Sequence, residues 1–139
     1  MNALCEEVKT YGPLAGRILL ALLFVISGYN KLVGFEGTVG YIASKGLPLP
    51  QLAAAAAIAI ELIGGILLVI GWQTRCAATA FLLFLIPTTL IFHPFWAAAA
   101  ANQQMETIQF MKNLCIMGGM LYVMAFGAGP LSVDNRKRA

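Results

Sequence analysis

The chain has 139 residues, of which 60% are hydrophobic and 11% charged, and nine lysines and arginines against six aspartates and glutamates give a formal net charge of +3. A soluble domain is about 45–50% apolar and about 25% charged, and so few charged side chains cannot cover the surface of a soluble fold of this size. The composition argues against a soluble enzyme, a nucleic-acid-binding protein and a disordered chain, and it predicts a small integral membrane protein.

Four hydrophobic segments are long enough to cross a bilayer, whose hydrocarbon core of ~30 Å takes about 20 residues of helix. Backbone polar groups in lipid must be satisfied internally, so each segment is predicted to be helical. Pro13 suits the first position of the first helix, where its missing N–H costs nothing. The predicted spans are about residues 14–32, 51–70, 75–92 and 107–126. The predicted fold class is therefore all-α, a membrane-spanning four-helix bundle, with residues 1–139 forming one domain.

Two connectors are expected to contain short interfacial helices or anchors. Between Gly37 and Gly46 the apolar residues fall on one helical face, and Lys45 lies off it. These apolar residues are Val39, Ile42 and Ala43. The pattern predicts an amphipathic helix in the membrane interface. Phe95 and Trp96, between the third and fourth spans, are typical of an interfacial aromatic belt.

The distribution of lysine and arginine predicts the orientation. With four spans both chain termini lie on the same side of the membrane. The basic residues of that side are Lys9, Arg17, Arg75, Arg136, Lys137 and Arg138, and those of the other side are Lys31, Lys45 and Lys112. Because cytoplasmic loops carry the excess of positive charge, both termini are predicted to be cytoplasmic.

Ionisable side chains within spans are costly in lipid, so each is a candidate functional residue. They are Arg17, Lys31, Glu61, His93 and Lys112, with Asn30 and Asn113 beside two of them. Arg17 and Lys31 are four turns apart and share a helical face. Glu61 lies near the middle of the second span, and Gly64 and Gly65 follow at the spacing that lets a neighbouring helix approach.

These residues allow two interpretations. In the first, the lysines extend to the lipid head groups, Arg17 and Glu61 form one structural ion pair between the first two spans, and His93 only ends its helix. The second groups five side chains around one outward-facing pocket: Lys31, Glu61, His93, Lys112 and Asn113. The positive excess of such a pocket would suit a quinone-like head group or a small anion.

The sequence carries no visible redox centre of its own. Cys5, Cys76 and Cys115 have neither a CxxC nor a metal-ligand spacing, and they are interpreted as small packing residues. His93 is the single histidine, which excludes a haem held by two histidines of one chain and a multi-histidine metal site. We expect no metal and no intrinsic cofactor.

Four segments together resemble one family of small bacterial membrane proteins. They are GRILLALLF around Arg17, SGYNKLVGF at residues 27–35, ELIGGILLVIGWQTR at residues 61–75 and GAGPLSVD at residues 127–134. Their order and spacing resemble the DoxX family, and residues 31–54 are similar to its YphA-like inner-membrane members.

The resemblance implies a four-helix protein of the bacterial inner membrane that is associated with redox chemistry. Relatives resemble a subunit of a thiosulfate:quinone oxidoreductase, or act at the membrane with a superoxide dismutase and a sulfurtransferase. The family's Arg, Lys and Glu fall on Arg17, Lys31 and Glu61, and the Asp of its terminal motif falls on Asp134. Because the chain lacks a cysteine pair, the resemblance does not extend to direct thiol–disulfide chemistry.

The main hypothesis is a redox-associated membrane subunit that binds a quinone-like or small anionic ligand and works with a partner oxidoreductase. Glu61 and His93 are its candidate catalytic residues, as proton carriers. The candidate ligand-binding residues are Arg17, Lys31, Glu61, Lys112 and Asn113. One alternative is a non-catalytic scaffold or assembly factor, and a weaker one is a small-molecule transporter, which four short spans could form only as a homo-oligomer. The expected partners are the lipid bilayer and a redox-type protein.

Overall fold

The structure, a computed structural model, describes residues 2–136. The predicted basic residues Lys137 and Arg138 lie outside the described residues. The helices are α1 (Asn2–Val33), α2 (Phe35–Ser44), α3 (Pro50–Ile70), α4 (Thr74–Phe92), α5 (Ala100–Phe126) and α6 (Val133–Arg136), with a short 3-10 turn at Phe95–Ala97. Four of them, α1, α3, α4 and α5, are long and apolar enough to cross a membrane. The prediction of an all-α membrane bundle is confirmed.

Two of the spanning helices begin earlier than the sequence pattern predicts. Helix α1 begins at Asn2 and contains Pro13 inside it, so the placement of Pro13 at a helix start is wrong. A proline inside a helix removes one hydrogen bond. In the turns before Pro13, the side chains make local contacts within the helix: Lys9 pairs with Glu6 at 2.9 Å, and the hydroxyl of Thr10 donates to the Glu6 carbonyl. Helix α5 likewise begins at Ala100, because the alanines and polar residues before residue 107 continue the helix.

The two connectors form the predicted short helical elements. Helix α2 buries Ile42 against the bundle and half-buries Val39, whereas Ala43, predicted on the same face, is exposed. Tyr41 of α2 lies against Phe92 at the end of α4, with ring centroids 5.4 Å apart. In the other connector, Phe95 makes edge contacts with Trp96 and with Phe110 of α5. Both connectors therefore cover the same end of the bundle, which we call the α2 end.

The four long helices pack as a bundle in which α3 lies against α1 and α4, and α5 lies mainly against α4. Helices α1 and α5 make little contact with each other. All four long helices contribute to the core: the rings of Phe24 and Phe81 stack with centroids 4.0 Å apart, and Met120 of α5 is fully buried in the same cluster. A Cβ on Gly64 would lie 2.9 Å from the Phe81 ring. Small residues thus let the backbones approach, as they do in membrane helix packing.

Candidate functional site

A buried ion pair joins α1 to α3 towards the α2 end. The ammonium of Lys31 lies 2.9 and 2.8 Å from the two carboxylate oxygens of Glu61, and it donates to the hydroxyl of Ser27 at 2.5 Å. The Glu61 side chain is 6% exposed and that of Lys31 is 31% exposed. Gly28 makes room for the pair, since a Cβ there would lie only 3.0 Å from Cβ of Glu61. A carboxylate in an apolar bundle is thereby neutralised by a cation that still reaches the surface.

The predicted pairing of Arg17 with Glu61 is wrong. Because α1 and α3 run antiparallel, Arg17 reaches the end of α3, where backbone carbonyls lack partners within the helix. Its guanidinium donates to the carbonyls of Leu68 at 2.8 Å, Val69 at 3.2 Å and Leu131 at 2.6 Å. Lys31 also does not simply extend to the lipid head groups, because its ammonium holds Glu61.

The segment after α5 completes the surroundings of Arg17. Asp134 accepts the backbone N–H groups of Gln73 and Thr74, each at 2.9 Å, and so caps the start of α4. The backbone N–H of Asp134 donates to the carbonyl of Gly71. Gly71 has φ +69, and a Cβ there would collide with Arg17 and Ser132. We call the end of the bundle that carries both termini the terminal end. Hydrogen bonds join α1, the α3–α4 turn and the segment after α5 there.

A shallow, open cavity of about 450 Å³ adjoins the ion pair. It is lined by Leu23, Ile26, Ser27, Asn30, Lys31 and Thr38. The polar groups come from the last turns of α1 and from Thr38 of α2, whereas Leu23 and Ile26 are exposed apolar side chains of α1. The cavity therefore combines a hydrogen-bond donor, the Lys31 ammonium with the Glu61 carboxylate behind it, with the apolar side chains of Leu23 and Ile26.

The remaining predicted site residues form separate contacts. His93 Nδ1 lies 2.8 Å from Glu106 of α5, and the amide of Asn113 donates to the hydroxyl of Thr89 at 3.0 Å. Lys112 is exposed and contacts Gln109. Within residues 2–136 no hydrogen bond or ion pair links these groups to Lys31 or Glu61. The predicted five-residue pocket with a positive excess is therefore divided, and the part around Glu61 is charge-balanced.

Four polar residues of these sites were missed by the sequence analysis: Ser27, Thr38, Thr89 and Glu106. Glu106 could have been found, since a helix that includes residues 100–106 places it within reach of His93. The cysteines were misjudged, because Cys5, Cys76 and Cys115 are all exposed and free rather than packed in the core. In the described part of the chain no three His, Cys, Asp or Glu side chains gather as a metal site requires.

These features define a small integral membrane protein of four spans with a buried ion pair between its first and second spans. The chain belongs to the DoxX family, whose model matches residues 12–94, a stretch that includes Arg17, Lys31 and Glu61.

Curated relatives agree with this assignment. Inner membrane protein YphA of Escherichia coli (strain K12) is 39% identical over 88% of both chains. Inner membrane protein YqjF of the same organism is 33% identical over 94% of this chain and 95% of the relative. Putative oxidoreductase CatD of Bacillus subtilis (strain 168) is 40% identical over 54% of each chain. No solved structure matches the chain. The protein is thus an integral membrane protein of the DoxX family, similar along most of its length to the inner membrane proteins YphA and YqjF.

Proposed function

We propose that this protein is a redox-associated membrane subunit that binds a quinone-like head group beside the Lys31–Glu61 pair and works with a partner oxidoreductase. The observation that carries the proposal is the ammonium of the partly exposed Lys31, held on a buried carboxylate, at the wall of a shallow cavity that exposed apolar side chains of α1 also line. The name of the relative CatD, a putative oxidoreductase, supports a redox association.

The charge balance of the site favours a neutral head group over a small anion. Glu61 offsets the charge of Lys31, so an added anion would meet no net attraction and would compete with the carboxylate. A carbonyl oxygen of a neutral ring needs only a hydrogen bond, which Lys31 can donate in place of its bond to the Ser27 hydroxyl. The exposed Leu23 and Ile26 would lie along the apolar tail of such a ligand.

Two side chains at the α2 end, Glu61 and His93, would carry the protons that reduction of a quinone requires. Reduction of a quinone to its quinol consumes two electrons and two protons, and in this proposal the electrons come from the partner oxidoreductase. Glu61, through Lys31, is the group placed to exchange protons with the bound ring. His93, paired with Glu106 and partly exposed, is a second group able to exchange protons with water at this end.

Binding of a short-chain ubiquinone to the purified protein in nanodiscs tests the proposal. Lys31→Met should weaken binding about tenfold or more, because a hydrogen bond from a charged donor is lost. Lys45→Met is the matched control, since Lys45 is an exposed lysine at the same end that stacks over Tyr41 and does not line the cavity. Equal affinities of the two variants, or no binding by the wild-type protein, would contradict the proposal.

A non-catalytic scaffold is the second candidate function, and one observation favours it. The three hydrogen bonds of the Lys31 ammonium all go to Ser27 and Glu61, so the pair is complete without a ligand. Under this alternative, Lys31→Met combined with Glu61→Leu should keep both folding and partner association, since apolar residues can replace a buried ion pair. Under the main proposal the double variant folds but binds no quinone.

A further inference from the structure

A second and larger cavity, of about 550 Å³, lies at the terminal end of the bundle. Its walls are the start of α4 (residues 73–76), Phe126 at the end of α5, and residues 127–135 of the following segment. The ion pair of Lys31 and Glu61 lies at the opposite end of the bundle, and Arg17, although it is at this end, does not line the cavity.

The cavity is lined by one cation, Arg75, and one carboxylate, Asp134. The buried Arg17 attracts Asp134, whose oxygens accept two N–H groups at the start of α4, so Arg17, Arg75 and Asp134 together carry a formal excess of one positive charge. Arg75 forms no ion pair within residues 2–136, and it donates only to the carbonyl of Ala125, at 3.2 Å. This contact leaves most of the five donors of the guanidinium available at the cavity.

Further donors belong to residues that line the same cavity. The consecutive backbone N–H groups of Ala128 and Gly129 make no hydrogen bond within the described residues. They follow Gly127, whose φ of 81 and ψ of −163 belong to a conformation open to glycine almost alone. Thr74, at the cavity wall, is fully buried, and its hydroxyl has no partner among the described groups. An orphaned buried hydroxyl is costly to folding, and a ligand oxygen that reaches Thr74 through a small shift of the cavity wall would remove that cost.

We propose that this cavity binds a phosphate group, presented by an anionic lipid head group or as a free phosphate. A phosphate offers the paired oxygens that a guanidinium binds best, and consecutive backbone N–H groups form concave sites for such anions. Trp72, Tyr122 and Phe126 are exposed around this end. Exposed aromatic side chains at a helix end are typical of the depth at which lipid head groups lie.

Native mass spectrometry of the detergent-solubilised protein tests the proposal, with phosphatidylglycerol as the probe and diacylglycerol of the same acyl chains as the phosphate-free control. Arg75→Gln should lower the affinity for phosphatidylglycerol about tenfold or more, the effect of losing a charged hydrogen bond. Arg136→Gln should change it less than about twofold. Arg136 is the matched control because it is an exposed arginine of the same end that does not line the cavity.

Competition with inorganic phosphate identifies the source of the ligand. Displacement of phosphatidylglycerol by phosphate supports a site for the phosphate group alone, and binding that resists phosphate supports a lipid site. Equal losses in Arg75→Gln and Arg136→Gln, or equal binding of phosphatidylglycerol and diacylglycerol, would overturn the proposal.

Thr74→Val is the second variant, because it alters no charge and removes no hydrogen bond made in the structure. It should fold normally and bind phosphatidylglycerol several-fold more weakly. An affinity equal to wild type would overturn the assignment.

Discussion

Arg17 and Lys31, two cations on one face of α1, are stabilised in different ways because a guanidinium and an ammonium differ in shape and in their number of donors. Arg17 is 1% exposed and reaches three carbonyls on two segments with a planar fork of donors. Lys31 places a compact ammonium between two carboxylate oxygens. The guanidinium therefore has a structural role at the terminal end, whereas the ammonium belongs to the candidate ligand site.

Arg17→Lys should lower the free energy of unfolding by about 2 kcal/mol or more, because an ammonium cannot reach α3 and Leu131 together and leaves buried carbonyls unpaired. Unfolding in mixed micelles with increasing denaturant measures the change. Lys9→Arg, at an exposed ion pair with Glu6, is the control and should unfold like the wild type. An Arg17→Lys protein as stable as the control would show that the carbonyl contacts contribute little.

At the scale of single residues the sequence identified the costly groups but not their partners. The rule that ionisable residues within spans are functional or paired selected Arg17, Lys31 and Glu61. Their pairing depends on the register of α1 against α3, and Arg17 and Lys31 are about 21 Å apart along α1. Nothing in the periodicity of either helix sets that register, so the predicted Arg17–Glu61 pair was wrong.

The α3–α4 turn is the element on which the terminal end depends, because three segments meet at Gly71. The left-handed backbone there suits glycine, and the guanidinium of Arg17 and the side chain of Ser132 occupy the space of a Cβ. Gly46, in the turn after α2, has a similar φ of +74 but nothing within 4 Å of its Cβ position. Comparing alanine substitutions at the two glycines therefore separates the free-energy cost of the backbone conformation from that of crowding.

Gly71→Ala should therefore destabilise the protein more than Gly46→Ala. Each alanine in a left-handed conformation costs about 1–2 kcal/mol, and the crowding at Gly71 should add about 1–3 kcal/mol. Thermal unfolding of the two variants in the same detergent measures the difference. Equal melting temperatures would mean that Arg17 and Ser132 move aside without loss.

The sequence predicted which helices form but not the residues at which they begin and end. The four spans, α2 and the break before α3 follow from apolar length and from proline and glycine positions. Helix α5 extends back over Asn102, Gln103 and Gln104, which were assigned to a connector because they are polar. Polar residues in a helix that leaves the hydrocarbon core carry no penalty, so hydropathy alone locates the membrane boundary and not the helix end. Glu106 was missed for this reason.

At the scale of the whole molecule, the two candidate sites lie at opposite ends of the bundle, so the orientation in the membrane decides which compartment each one faces. The excess of lysine and arginine near the termini predicts that the terminal end is cytoplasmic. The phosphate-binding cavity would then face the cytoplasmic leaflet, and the Lys31–Glu61 site would lie towards the outer leaflet, where it would meet a partner outside the cytoplasm.

Labelling of cysteines in intact bacterial cells tests this orientation. Cys5 is exposed near the N-terminus, and Ser44 is exposed at the end of α2. With Cys76 and Cys115 replaced by serine, Cys5 should react with a membrane-impermeant maleimide only after the cells are permeabilised. In a variant whose single cysteine comes from Ser44→Cys, the maleimide should react with intact cells. Labelling of both proteins after denaturation controls for expression, and the reverse pattern would place the quinone-like site on the cytoplasmic side and the phosphate cavity outside.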